Sequence, residues 1–402
     1  MTNKVYIVAK GRSAIGNFGQ TLAGQDITEI STQVLSEALN KYNILKTDVE
    51  KLIFGQVLQS ASGQNTARQI ALKTGLSPKT TAYTVNMVCG SGMQAIVSAY
   101  KDILTGKTEL AVAGGGEFMS CVPHAILNSR TGTKYGSLKT VDLIELDGLT
   151  DSFLKEPMGL LMDKVAKDLG ITKEEAAAYS YNSHQKAYLA QNNVFKAEII
   201  PVTLKTRKAE ICFDKDEHIR PDTTAHAILK LPSIFSKDGV TNAGNASGIN
   251  DGVAFVCIAS DKYLSKHPEI KPLAEIIDFA ETGVEPEIFP LAPFYATKKL
   301  ISDNKINLAK VDLLEINEAF AHTVLANLKL LSEEYQIPYN EINRKTNVCG
   351  GAVALGHPLG MSGARVVVSL VTQFEHYNLN TGLASICIGG GQGIALYLKR
   401  GK

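Results

Sequence analysis

The chain has 402 residues, 45% hydrophobic and 20% charged, with a formal net charge of +1. That length carries a large core and more than one domain, and the near-neutral balance excludes capture of nucleic acid or an anionic membrane by bulk charge. No apolar run reaches the roughly 20 residues of a membrane helix, and no signal or transit segment precedes the first strand-like run, so the expected compartment is the cytoplasm.

In chain order, VYIVA (5–9) reads as a strand and 27–42 as a helix capped by Asp26. KLIFGQV (51–57) is a strand, 67–75 a helix stopping at Gly75, AYTVNMV (82–88) a strand, 91–106 a helix, and ELAVAGGG (109–116) a strand running into glycines. Further on, Leu300 to Asn307 closes a helix. VDLLEIN (311–317) is a strand and 319–331 a helix. TNVCGGAVALG (346–356) leads into a helix at 362–374, and 383–400 is two strands around a glycine turn. This alternation predicts a layered α/β fold with a mostly parallel sheet.

The second half repeats the first. VEKLIFGQ (49–56) matches VDLLEINE (311–318), SGMQAI (91–96) matches SGARVV (362–367), and AVAGGGE (111–117) matches ICIGGGQ (386–392). The strand GIALYLK (393–399) follows its glycines directly, whereas its counterpart GVAFVCIA (252–259) is delayed, so 118–250 reads as an insertion. Inside it, 134–153 lacks a clear period. Residues 171–191 form an amphipathic helix with Thr172 and Glu175 as a capping box, and 231–251 is a long Ser/Gly/Asn loop of the kind that binds ligands.

Six scattered cysteines include no CxxC pair, which argues against a zinc ribbon or thioredoxin-type site. Cys212 and Cys257 sit in strand-like runs and are expected to be buried small hydrophobes. Cys89 differs. It lies between a strand and a helix opened by Gly90, Ser91 and Gly92, where exposure and the positive helix end would lower its pKa from a free value of about 8.5; a buried junction cysteine is the plain alternative. His357 lies inside GGAVALGHPLGMSG (350–363), with glycines that leave its ring accessible. Cys387 precedes Gly389 to Gly391, whose N–H groups could meet an oxyanion or simply close a hairpin. Asn317 in NEAF (317–320) could hold a water or a carbonyl, or cap a helix. The duplication would bring these positions to one central crevice.

VCGSG, GNASG (244–248), NEAF, GHPLGMSG and CIGGGQG, in this order and spacing, resemble the thiolase family from Val5 to about Leu398. The resemblance implies two βαβαβαββ halves in a five-layer α-β-α-β-α sandwich: residues 1–117 with 251–272, and residues 273–402, with 118–250 as a loop domain over coenzyme A. It implies Cys89 as the acyl-accepting nucleophile, His357 as its activator and an oxyanion donor, and Cys387 as the acid–base at the substrate α-carbon. Asn317 would hold the water of one oxyanion hole, and the N–H groups of Cys89 and Gly389 would form the other. Ser247 would contact the pantetheine arm and Arg220 the adenine end, with Leu149, Met158, Phe235, Ala243 and Phe320 lining the channel. No permanently bound cofactor or metal is expected; coenzyme A thioesters are the substrates.

Within the family, VCGSGM, CIGGGQG and EIFPLAPFYA (287–296) resemble the biosynthetic branch that joins two acetyl-CoA into acetoacetyl-CoA, with bulky Phe289 and Tyr295 closing a short pocket. Pro157, Cys349 and Phe118 depart from that branch, and Pro157 resembles the β-oxidation thiolases, which take longer chains. A ketoacyl-carrier-protein synthase wants a histidine where Cys387 stands, and a non-catalytic lipid carrier would lack the four side chains just named. The excursion around 121–145 resembles a tetramerisation loop, so the expected assembly is a homotetramer.

Overall fold

The computed structural model describes residues 4–205 and 209–401; residues 1–3 and 402, at the ends of the expected halves, and 206–208 in the insertion lie outside the described residues. The first half runs β1 (Val5–Arg12), a short β2 (Gly16–Asn17), α1 (Ile27–Lys41), β3 (Lys51–Gly55), α2 (Thr66–Lys73), β4 (Thr81–Val85), α3 (Ser91–Leu104) and β5 (Leu110–Phe118). Next come β6 (His124–Ile126), β7 (Thr140–Asp142), α4 (Met158–Asp168), α5 (Lys173–Gln191), β8 (Val202–Lys205), β9 (Glu210–Phe213) and α6 (Ala225–Leu229). β10 (Asn250–Ser260) and α7 (Asp261–Lys266) return to the first sheet. The rest is β11 (Ala274–Gly283), α8 (Ala292–Asn304), β12 (Leu313–Ile316), α9 (Ala321–Tyr335), α10 (Tyr339–Arg344), α11 (Ala352–Leu355), α12 (Leu359–Tyr377), β13 (Thr381–Ile388) and β14 (Gln392–Arg400).

Local signals account for several of these elements. The Asp26 carboxylate accepts from Thr28 N at the start of α1, which buries Ile27, Ile30, Val34, Leu35 and Ala38 at helical spacing. Thr172 and Glu175 form the capping box of α5. The face α5 buries is not a large apolar stripe, however. It is Ala176, Ser180, Ser183, His184, Ala187 and Ala190, small and polar groups that allow close approach to the second half.

The duplication is explicit in the strand pairing. In the first half β3 runs parallel to β4 and β5, and β10 lies antiparallel between β5 and β1. In the second, β12 runs parallel to β13, and β14 lies antiparallel between β13 and β11. The position matching β4 is reduced to one parallel bridge between Leu314 and Thr346. β1 and β11 pair antiparallel over Val5–Ile7 and Ala274–Ile276, which joins the two half-sheets edge to edge.

α3 and α12 form the middle layer. α12 packs on β5 and β10 on one side and on β12 and β13 on the other, and every residue from Leu359 to Phe374 is buried. α1 and α2 cover the outer face of the first half-sheet, and α8 and α9 that of the second. The resulting order is the α-β-α-β-α sandwich. Glycine sets the spacing at the centre. A Cβ on Gly92 would lie 2.6 Å from the Gly360 carbonyl oxygen, and one on Gly363 2.5 Å from Met93 N. Without side chains there, the starts of α3 and α12 approach closely, and with them the Cys89 and His357 junctions.

β6 and β7 form a ribbon whose connecting residues are exposed, including Tyr135 at 99% and Leu138. Cys257 is buried as expected, but Cys212 is exposed, because β9 pairs only with β8 in a two-stranded ribbon with no second layer over it. Among the described residues no helix is long and apolar enough to cross a membrane.

Candidate active site

The turn before Cys89 is tighter than its sequence indicates. β4 ends at Val85, three residues before the expected end at Val88, and Val88 has φ +45. That left-handed conformation is strained for a β-branched residue, costing about 1–3 kcal/mol, so it must be held by its surroundings. Val88 N donates to Asn86 Oδ1 (2.9 Å), Met87 N donates to Ser91 Oγ (2.8 Å), and Ser91 Oγ donates to the Val88 carbonyl (2.6 Å). The reversal sets Cys89 just ahead of α3.

The expected lowering of the Cys89 pKa is overturned. Burial pushes this thiol up to about 12, and the N–H groups of Gly389 and of Cys89 itself only partly oppose that shift. Both donors nonetheless point at the sulfur, where they favour negative charge. In the free protein Cys89 is therefore a thiol, and it could act as a nucleophile only with a proton acceptor at hand.

His357 lines the same cavity as Cys89 and has a nitrogen that could accept a proton. Its Nδ1 lies 2.5 Å from Ser362 Oγ, and its Nε2 is buried without a partner. Burial, with a smaller contribution from Arg365, pushes its pKa down to about 3, so the ring is neutral. Gly356, at φ +102, brings the chain past Asn250, whose Oδ1 accepts from His357 N (3.2 Å). Cys387 stands near the end of β13, with its thiol pKa raised by burial and by nearby Cys89. Gly389 follows on the hairpin closed by Gly390 and Gly391, both at positive φ.

A cavity of about 520 Å³ is lined by Cys89, His357, Cys387 and Gly389 together with Leu149, Met158, Phe235, Ala243, Ser247 and Phe320. Pro157 and Phe289 are also on its wall. The loop 231–251 is tied across it: Ser247 N and Oγ both donate to the Ala319 carbonyl (3.0 and 2.8 Å), and Ala246 bridges to Phe320. Three residues fall elsewhere. Arg220 lines two neighbouring depressions, one sharing Ala243 and the other Gly248 and Ile249 with the cavity. Asn317 is not on the wall, and it does not cap α9, whose N-cap is Phe320. Its Oδ1 accepts from Arg365 Nη2 (3.1 Å), which leaves its buried Nδ2 unpartnered. Tyr295, expected to close the pocket, is 39% exposed and stands edge-on to Phe294. It is on the outer face of α8, so Phe289 alone of that pair narrows the cavity.

Sequence reading missed two buried carboxylates that hold the site together. Glu117 accepts from Val57 N, Leu58 N and Gly360 N (2.9, 3.0 and 3.0 Å), and burial pushes its pKa up to about 7. It ties the end of β3 to the start of α12. Glu318 accepts from Tyr179 OH, Ser183 Oγ, Asn347 Nδ2 and Val353 N, which clamps α5 onto the loops around Asn317. The available signal was an acid directly after a strand in an apolar setting, in GGGE and NEAF. Among the described residues no His/Cys/Asp/Glu group has a metal-holding arrangement.

His184, His218, His322 and His357 all have pKa values pushed down by burial, to about 4, 4, 4 and 3. The unfolded chain takes up these protons near pH 6.5, and the folded chain resists them until near pH 4. The stability these histidines contribute is therefore full above pH 6.5 and is lost as pH drops toward 4, by about 1.4 kcal/mol per pH unit for each histidine involved. The buried carboxylates of Glu117, Glu315 and Asp251, pushed up to about 7, 7 and 6, act in the opposite sense, so thermal melts between pH 7.5 and 4.5 should show a net fall below about pH 6.5 that is shallower than the histidines alone would give; a melting temperature that rises steadily as pH drops would contradict it.

Comparison with known proteins places this fold among the acyltransferases. Residues 5–262 match the model of the thiolase N-terminal domain and residues 270–400 that of the thiolase C-terminal domain. An acetyl-CoA acetyltransferase of Chromobacterium violaceum is 43% identical over 399 residues, covering 99% of this chain and 100% of the relative. Among solved structures, the Bacillus anthracis acetyl-CoA acetyltransferase has a TM-score of 0.94 at 37% identity, and human mitochondrial 3-ketoacyl-CoA thiolase 0.93 at 36%, each covering 99% of both chains. The chain belongs to the thiolase family.

Proposed function

We propose that the protein is an acetyl-CoA C-acetyltransferase. It joins two acetyl-CoA into acetoacetyl-CoA and coenzyme A, reversibly, through an acetyl group carried on Cys89. The observation that carries this reading is the convergence of two thiols and an unpartnered imidazole nitrogen on one largely apolar cavity. Cys89 attacks the first thioester while His357 Nε2 takes its proton. The oxyanion forms against the N–H groups of Cys89 and Gly389. Coenzyme A leaves as its thiol with the Cys387 proton, and the Cys387 thiolate so formed removes a proton from the α-carbon of the second acetyl-CoA. The resulting enolate is held by the Nε2–H of protonated His357 and by a water on the free Asn317 Nδ2; it attacks the acetyl group, and the Cys89 thiolate so released takes its proton back from Nε2. Two carbonyls gain charge at different steps, so two donor sites are needed, each worth on the order of 3 kcal/mol.

Coenzyme A binds as substrate and not as a resident cofactor. Its pantetheine arm runs past Ser247, Leu149, Met158, Phe235, Ala243 and Phe320, and Arg220 meets its distal, charged end beyond the cavity. The exposed ribbon of β6 and β7 supports a homotetramer, and the mass in solution by light scattering checks that.

Short-chain preference rests on what surrounds the nucleophile. Val57, Leu58, Met119, Ile144 and Leu359 are buried and pack against Cys89 and Leu149, so a long acyl tail would have to displace them. A β-oxidation 3-ketoacyl-CoA thiolase is the second reading, favoured by Pro157 on the cavity wall. Thiolysis kinetics separate the two. Acetoacetyl-CoA should turn over efficiently and 3-oxohexadecanoyl-CoA very poorly, because an excluded chain forfeits about 0.8 kcal/mol per methylene of burial. Comparable kcat/KM for both substrates would promote the β-oxidation reading.

A further inference from the structure

We propose that Ser362 is a positioning residue that fixes the tautomer of His357 and keeps its Nε2 as a bare lone pair facing Cys89. The proposal rests on the reading of His357 as the proton acceptor for Cys89.

The argument is one of proton counting. Ser362 lies in the first turn of α12 and is 1% exposed. Its hydroxyl has a single proton, and Oγ donates it to the Pro358 carbonyl at 2.9 Å. Toward His357 Nδ1, at 2.5 Å, the same oxygen has only lone pairs left to offer. Nδ1 therefore carries the imidazole proton. A neutral imidazole has one N–H, so Nε2 has none. The opposite assignment would turn the hydroxyl proton onto Nδ1 and put the imidazole proton on Nε2. Nε2 is buried and has no partner. An N–H there would find no acceptor among the described protein groups, whereas an empty lone pair can take the proton of Cys89, which lines the same cavity. Burial keeps the ring neutral in the resting protein.

The chemistry follows with atoms and electrons in balance. Cys89 sulfur forms a bond to the thioester carbon and its proton moves to Nε2. The carbon–sulfur bond to coenzyme A then breaks, the departing thiolate takes the Cys387 proton, and Nε2 keeps its proton until the acetyl group leaves Cys89. The Nδ1–H stays on Ser362 throughout. During the charged interval its bond to Oγ becomes charge-assisted and stronger, so Ser362 holds the ring in place when it matters most.

Ser362→Ala tests this, with Ser362→Thr as the variant that keeps the acceptor. Nitrogen-15 labelling of histidine reads the tautomer of His357 directly and independently of activity. Wild type should show the proton on Nδ1. Ser362→Ala should shift it toward Nε2, lower kcat on the order of 10- to 100-fold, and leave KM for acetoacetyl-CoA within about threefold. Ser362→Thr should restore the Nδ1 proton. A wild-type spectrum with the proton on Nε2, or an unchanged tautomer in folded Ser362→Ala, overturns the proposal. A shifted tautomer with unchanged kcat upholds it and overturns instead the reading of His357 as proton acceptor.

Discussion

Cys89→Ser should lower kcat for acetoacetyl-CoA thiolysis by roughly ten-thousand-fold or more, the scale seen when a nucleophile is removed from a covalent mechanism. The reason lies in the local electrostatics. Burial already holds the native thiol up to about 12, and a serine hydroxyl starts several units higher in the same surroundings. His357, neutral with its pKa pushed down to about 3, is too weak a base to activate an alcohol there. The substitution is close to isosteric, so the turn held by Asn86 and Ser91 should survive, and the melting temperature should stay within a few degrees of wild type. Stopped-flow release of coenzyme A from acetyl-CoA should show no first-turnover burst. A serine variant retaining a tenth of wild-type kcat would place the nucleophile elsewhere.

Cys387→Ala should separate the two half-reactions. Attack by Cys89 needs His357 and the N–H donors, none of which is altered, so acetylation should continue, though slowed because the departing coenzyme A must find its proton elsewhere. Exchange of the acetyl α-proton with solvent, and condensation itself, should fall on the order of 10²- to 10⁴-fold, the usual contribution of a positioned acid–base. Cys387 is 1% exposed at the end of β13, so removing its sulfur leaves a small void costing about 1 kcal/mol. Deuterium incorporation into acetyl-CoA, followed by mass spectrometry, gives the exchange rate. A variant that exchanges and condenses at near wild-type rate shows that the base is another group.

Much of this site was legible in the sequence because glycine and cap residues mark backbone events that are local. The capping box at Thr172 and Glu175, the Asp26 cap, the repeat and the glycine junctions around Cys89, His357 and Cys387 all involve neighbours along the chain. What escaped depends on side-chain hydrogen bonds that an apolar pattern does not show, or on contacts distant in sequence. The reversal at Val88 is held by Ser91 and is invisible to a pattern of apolar residues that runs on through Met87 and Val88. The direction of the Cys89 pKa shift depends on how deeply the sulfur is covered by the other half of the molecule, and a helix start alone indicates the wrong sign. Asn317 reads as a holder of water or a carbonyl, or as a cap; it is not the cap of α9, and its Oδ1 is committed to Arg365, 48 residues away, which leaves Nδ2 free. Tyr295 and Phe289 share one motif, yet the turn of α8 sends one outward and leaves the other on the wall. Arg220 follows the same logic: its motif was recognisable, but only the fold shows that it stands beside the cavity and not in it.

The central claim is an acyl group carried on Cys89, and mapping the covalent intermediate tests it most directly. Wild-type protein incubated with radiolabelled acetyl-CoA, quenched in acid and digested, should yield one labelled peptide containing Cys89, at close to one label per chain. The label should be released by coenzyme A and be absent from Cys89→Ser. Label on the peptide containing Cys387, or stoichiometric label on Cys89→Ser, would contradict the account.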